Sequence, residues 1–252
     1  RIGGRSLFKL RLAPERVDEQ ELHGEDGQHG RHRGAAGLLA LVVSAFFDRR
    51  QFFQAYLLGW TFWTGIAVGS RGTLLLTSNG GADWKPIKKL TDSVLTGVAF
   101  TSEKKVVVVG YRGTILQSDD SGETWTTKDS LITTDLYSVY FTDDLHGWAA
   151  GDGGVIMTTG DGGNIWLPVN VRTRPRLSTV YFSDESLGWA AGADGLVVRT
   201  DDGGLSWRRL TEGGRDDLAN IFFIDNSRGW AVGERGRILF TNSGGKTWTI
   251  RP

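Results

Sequence analysis

Five tryptophans recur every 41 residues: Trp84, Trp125, Trp166, Trp207 and Trp248. Four equal intervals mean one supersecondary unit copied along the chain, so the fold is an array. Each tryptophan closes the same short pattern. A Ser or Thr is followed two residues later by Asp or Asn, then by Gly two further on, with Trp three after that. The copies are Thr77–Trp84, Ser118–Trp125, Thr159–Trp166, Thr200–Trp207 and Thr241–Trp248. Asn79, Asp120, Asp161 and Asp202 hold the second position, and only the fifth copy departs, with Ser243 there.

The rest of the unit reads as strands. Leu136–Thr142 alternates and is rich in aromatics, as a strand should be. Trp148–Gly151 and Val155–Thr159 follow, separated by a Gly-rich tight turn, and Trp166–Val169 opens a fourth strand. Four short strands in about 40 residues is one blade of a β-propeller. First strands recur at Leu95–Phe100, Leu177–Phe182 and Leu218–Phe223. Second strands recur at Val106–Val109, Trp189–Gly192 and Trp230–Gly233. No segment keeps a helical period, which excludes a helical solenoid. The predicted fold is all-β: five four-stranded blades, either a five-bladed ring or part of a seven-bladed one.

The repeated turn has a physical reason. A hairpin tip leaves backbone N–H groups unpaired, and a short Asp or Asn side chain accepts from them. The tryptophan then lays its ring between sheets. The acids are therefore structural. They come one per blade, too far apart to act as the paired carboxylates of a glycosidase.

Composition narrows the chemistry. Formal net charge is zero, so no global basic field for nucleic acid exists. The chain has no cysteine, which removes disulfides, thiol catalysis and Cys-ligated zinc. His146 stands alone in the repeat region as a turn residue, so a histidine metal cluster is out. No cofactor is implied.

The turns between second and third strands vary more. They read Gly69–Gly72, Gly110–Gly113, Gly151–Gly154, Gly192–Gly195 and Gly233–Gly236, with Arg71, Arg112 and Arg235 at one shared position. Gly153 and Asp194 take that position in the other two copies. Propeller geometry puts these turns on one face with the connectors that carry Lys88, Lys89, Arg172, Arg174, Arg176 and Arg215. The opposite face receives Asp143, Asp144, Asp184, Glu185 and Asp225. The expectation is a molecule basic on one face and acidic on the other, its basic face suited to an acidic peptide, an anionic head group or a phosphate. In a closed ring of five, copies five, one and two would be neighbours.

The short motif is the Asp-box of bacterial neuraminidase repeats. The wider unit, seen in Gly229–Trp248, Gly147–Trp166 and Gly188–Trp207, resembles the photosystem II stability/assembly factor family. The resemblance covers about residues 61–252. It implies a propeller without catalytic activity that holds a protein partner, a membrane-protein subunit or assembly intermediate. It also implies an arginine patch for that partner, carried onto Arg71, Arg112 and Arg235, with Arg172, Arg174 and Arg176 beside them. An extracytoplasmic setting follows: periplasm, thylakoid lumen or a membrane surface. Two alternatives stay open. One is an exo-acting hydrolase of the sialidase type, for which Tyr111 beside Arg112 is present but the Arg-Ile-Pro signature is not. The other is a secreted adhesion module.

Residues 1–51 do not repeat and are set apart from a repeat domain at 52–252. Residues 1–34 are charged and read as disordered or loosely attached. Ala35–Phe47 resembles a signal-peptide core, with Val43-Ser44-Ala45 as a poor match to a cleavage site. Phe52–Gly69 is long enough for a membrane helix. Counting back from the second copy instead places strands at 54–61 and 65–69, so residues 52–63 are open between strand and membrane contact.

Overall fold

The protein is described by a computed structural model covering residues 42–45, 64–210 and 215–251. The chain divides into two units, Arg1–Leu38 and Leu39–Pro252, and all described residues belong to the second. The expectations for residues 1–34 and 52–63, and most of the apolar run at 35–47, lie outside the described residues.

Five antiparallel four-stranded sheets follow one another. Blade 1 holds β1 (Val42–Ala45), β2 (Gly65–Val68), β3 (Leu74–Thr77) and β4 (Lys85–Pro86). Blade 2 holds β5 (Leu95–Phe100), β6 (Val106–Gly110), β7 (Ile115–Ser118) and β8 (Thr126–Lys128). Blade 3 holds β9 (Leu136–Phe141), β10 (Gly147–Gly151), β11 (Ile156–Thr159) and β12 (Leu167–Val169). Blade 4 holds β13 (Leu177–Phe182), β14 (Gly188–Gly192), β15 (Val197–Thr200) and β16 (Arg208–Arg209). Blade 5 holds β17 (Leu218–Phe223), β18 (Gly229–Gly233), β19 (Ile238–Thr241) and β20 (Thr249–Arg251).

The first blade differs from the count-back expectation. Its first strand is Val42–Ala45, which pairs in register with Gly65–Val68. The run read as a signal-peptide core thus contributes a ladder strand. The second strand falls where the count-back placed it, with Gly65–Val68 inside 65–69 and bonded on both sides, to β1 and to β3. Among the described residues no helix is long and apolar enough to cross a membrane.

Each blade packs on the next through one repeated set of positions. Trp189, Ala191 and Val197 of blade 4 meet Leu218, Ile221, Phe223, Ala231 and Leu239 of blade 5. Trp148, Ala150 and Ile156 of blade 3 meet the equivalent residues of blade 4. The Phe of each first strand fills the gap. Phe182 stacks on Trp148 of the preceding blade at 3.7 Å between centroids and meets its own Trp207 edge-on at 5.8 Å. Phe223 repeats this between Trp189, at 3.6 Å, and Trp248, at 6.0 Å.

The Asp-boxes are turn devices, and they also join blades. In copy two the Ser118 hydroxyl accepts from the amides of Asp120 and Gly122 and donates to the Asp120 carboxylate. Asp120 accepts from the Thr124 amide at 2.8 Å, and Trp125 donates its indole N–H to the Gly122 carbonyl. Thr124's hydroxyl, then its amide, hold the Asp120 carboxyl down to about 2. Ser243 does the same work in copy five, accepting from the Thr247 amide at 3.0 Å. There the Trp248 indole N–H is buried without a partner among the described residues. The boxes also receive the preceding blade: Trp148 donates to the Gly203 carbonyl at 3.1 Å, and Trp189 to Gly244 at 3.0 Å.

Inner strands pack in the order β1, β5, β9, β13, β17, and among the described residues no comparable packing joins β17 to β1. The blades therefore form an open arc, and copies five and one are not neighbours as a closed ring of five would make them. The reason is visible on blade 5. A closing neighbour would bury Val232 and Ile238, which are 43% and 38% exposed.

Candidate functional site

Each turn between second and third strands is built alike. Its third residue takes a left-handed conformation: φ is 56° at Arg71, 57° at Arg112, 64° at Gly153, 58° at Asp194 and 55° at Arg235. Such a φ costs a residue with a Cβ about 1 kcal/mol and suits Gly. Arginine stands there in three of five copies. The connectors repeat the feature, with Arg172 at φ 55° and Leu131 at φ 59°. Four of the six candidate arginines therefore leave a backbone held in an uncommon conformation, of the kind that collects at ligand sites.

Backbone crowding fixes the rest of the turn. Residues 110, 151, 192 and 233 are extended glycines, and a Cβ at Gly192 would lie 1.9 Å from the Arg176 carbonyl oxygen. The connector thus presses directly onto the turn. Asp135 caps the Arg112 amide at 2.9 Å, and Asp217 caps Asp194 at 3.0 Å.

These contacts correct the expectation of a uniformly basic face. Asp135, Asp152, Asp216, Asp217 and Glu234 share it with the arginines. Asp135 and Asp217 cap turns and Asp216 pairs with Arg235 and Arg237, so the face is mixed. Those of the opposite face serve the same purpose: Asp143, Asp184 and Asp225 each accept two turn amides. His146, a turn residue as expected, is half exposed and bonded to Asp143 at 2.8 Å.

The candidate arginines divide by partner. Arg176 sits 2.7 Å from Asp217 with its guanidinium 5.8 Å over the Tyr137 ring. Arg235 reaches Asp216 at 3.1 Å yet is 81% exposed, and Arg237 grips the same buried carboxylate. Arg112 donates only a long bond to Ser93 from its guanidinium, at 3.4 Å. Arg71, Arg172 and Arg174 are exposed, with no carboxylate partner among the described residues. Arg172 borders an open hollow of about 470 Å³ between the blade 3 turn and its two flanking connectors, floored by Gly153 and Gly154. A second hollow, of about 380 Å³, gathers Tyr111, Tyr137, Arg176, Asp217 and Glu234 where the first strands of neighbouring blades converge.

Asp216, Tyr137 and the capping Asp135 and Asp217 were not singled out from the sequence. A signal existed for two of them. Val94, Asp135, Arg176 and Asp217 are 41 residues apart and so occupy one position in successive blades. Among the described residues no group of three or more His, Asp or Glu side chains is placed to hold a metal.

A family model described as the photosynthesis system II assembly factor YCF48 matches residues 82–166 and 129–216. Together the matches run from residue 82 to residue 216, more than half of the 252 residues. The chain belongs to the YCF48 family. Solved structures agree on the fold. "YCF48 bound to D1 peptide" is 20% identical, with a TM-score of 0.60 over 74% of this chain and 62% of that one. YCF48 from Cyanidioschyzon merolae is 22% identical, with a TM-score of 0.58 over 73% of this chain and 67% of that one. A GH74 enzyme from Niastella koreensis is 20% identical, with a TM-score of 0.60 over 75% of this chain and 29% of that one. The chain thus spans about 62% of the peptide-bound YCF48 and under a third of the hydrolase. No curated protein matches it in sequence.

Proposed function

We propose that the protein is a non-catalytic propeller that holds a carboxylate-bearing polypeptide segment across the arginine-turn face. The segment would belong to a membrane-protein subunit or precursor under assembly, in an extracytoplasmic setting. One observation carries the reading: Arg71, Arg112, Arg172 and Arg235 are exposed arginines at left-handed positions, on turns and connectors of the kind that pack against each other. Guanidinium groups are suited to bidentate recognition of carboxylates. Family membership supports the assembly role, and the D1 peptide bound in the YCF48 structure supports a protein partner.

The non-catalytic part rests on the fate of the acids. The Asp-box acids are engaged by their own turns, and Asp216 and Asp217 by arginines. None of these is left as a free acid/base pair of the kind a glycosidase needs.

Fluorescence polarisation with a labelled D1 peptide tests the reading. Charge reversal at Arg71, Arg112 and Arg172 together should weaken binding at least about tenfold, one charged contact being worth that much. Unchanged affinity in the reversed variant refutes the face. Hydrolysis of fluorogenic aryl glycosides above a heat-killed control refutes the non-catalytic reading.

A further inference from the structure

Beside the arginine turns the axial hollow is lined by aromatic and acidic side chains. Tyr111 and Tyr137 meet edge to face there, with ring centroids 6.0 Å apart. Asp217, Glu234 and Arg176 line the hollow with them, and the charges of Asp135 and Asp152 act on Tyr137 from beside it. Asp217 is neutralised by Arg176, and Asp135 is occupied by the Arg112 amide. The exposed carboxylates of Asp152 and Glu234 have no side-chain partner among the described residues. Burial, then the charges of Asp152 and Asp135, raise the Tyr137 phenol above its ordinary range.

Arg176 shows what this hollow accommodates. Its guanidinium lies over an aromatic face and against a carboxylate, the two contacts that together recognise a desolvated cation. It is also the odd member of its series, since the equivalent positions are Val94, Asp135 and Asp217. The hollow of about 380 Å³ remains open beside it.

We infer that this axial mouth receives a cationic side chain, a lysine ammonium or an arginine guanidinium, from a polypeptide lying across the face, and that Arg176 partly occupies the mouth in its absence. The inference rests on the mouth alone. It shares the face with the carboxylate reading but needs none of the rim arginines. A rim that takes carboxylates around a mouth that takes a cation would select a segment with both charges in a fixed order.

Small probes separate the two. Acetyl-arginine methylamide and its neutral isostere acetyl-citrulline methylamide are titrated into the intact chain, with NMR shifts followed for the Tyr111 and Tyr137 rings. The arginine probe should bind at least about tenfold more tightly than citrulline. Asp152→Asn with Glu234→Gln, both exposed positions, should lose most of that margin. Arg176→Ala should bind the probe several-fold more tightly, because the internal occupant is gone. Reversal of Arg71, Arg112 and Arg172 should leave probe binding intact. Equal affinity for citrulline, an unaffected Asp152/Glu234 variant, or weaker binding by Arg176→Ala would each overturn the inference.

Discussion

Blades 4 and 5 carry almost the same second strand, GWAAG and GWAVG, and yet differ in burial. Trp189 and Ala191 are fully buried, and Val197 beside them is 0% exposed. Their counterparts on blade 5 are a partly buried Trp230, with Val232 and Ile238 substantially exposed. The substitutions between them are all apolar for apolar, Ala191 to Val232 and Val197 to Ile238, so the neighbour makes the difference in burial. Blade 4 has Phe223 and the Gly244 carbonyl of the next blade against Trp189, whereas the Trp230 face has no such blade among the described residues. Burial in this fold is conferred by the next copy, as expected of an array whose units cannot cover their own apolar faces.

The comparison can be broken by substitution. Val197→Lys should prevent stable folding, because an unpaired charge would be sealed at the blade 4–5 interface. Ile238→Lys should leave stability within about 1 kcal/mol. Comparable losses in urea unfolding would show that the blade 5 face is covered after all. Next in size, Trp189→Ala should cost about 3–5 kcal/mol and Trp230→Ala about 1 kcal/mol. Thermal or denaturant melts of the two variants measure the ratio.

A smaller effect is expected at the boxes. Ser243→Asp should stabilise blade 5 by about 0.5–1 kcal/mol, since an ionised acceptor replaces a hydroxyl for the Thr247 amide. Asp202→Ala in blade 4 should cost about 1–2 kcal/mol by the logic of a lost cap, because it frees the Ser206 amide and hydroxyl. The smallest effect is the pH dependence. Asp120 is held at about 2 by Thr124, below its unfolded value. Its contribution is complete above about pH 4 and is lost as the pH falls through about 2. Asp120→Asn should therefore flatten the acid limb of a stability-against-pH curve, with no change near neutrality beyond the constant offset of the substitution.

Much of this was legible because it is local. The strand positions of blades 2 to 5 follow from alternation and turn residues, and the box hydrogen bonds lie within eight residues of each other. The serine of copy five was visible as a departure, and the structure shows it filling the vacancy with the same acceptor geometry. The inner strand of blade 1 was not legible. Its 41-residue phase is broken, and pairing of Val42–Ala45 with Gly65–Val68 skips across 19 residues. The candidate face was legible as a position and misread as a charge. Turn capping by Asp135 and Asp217 depends on contacts 23 residues apart, and the Arg235–Asp216 pair on contacts 19 apart.

The sequence by itself determined the blade, its number of copies and the residue types at every turn, because hydrogen bonding and backbone conformation within a hairpin depend on near neighbours. Only the tertiary structure decided which tryptophans are buried, which arginines are already engaged, and that the five copies form an open arc. Those outcomes depend on what the adjacent blade places against each side chain, and a repeat that looks the same in every copy carries no record of whether a neighbour is there.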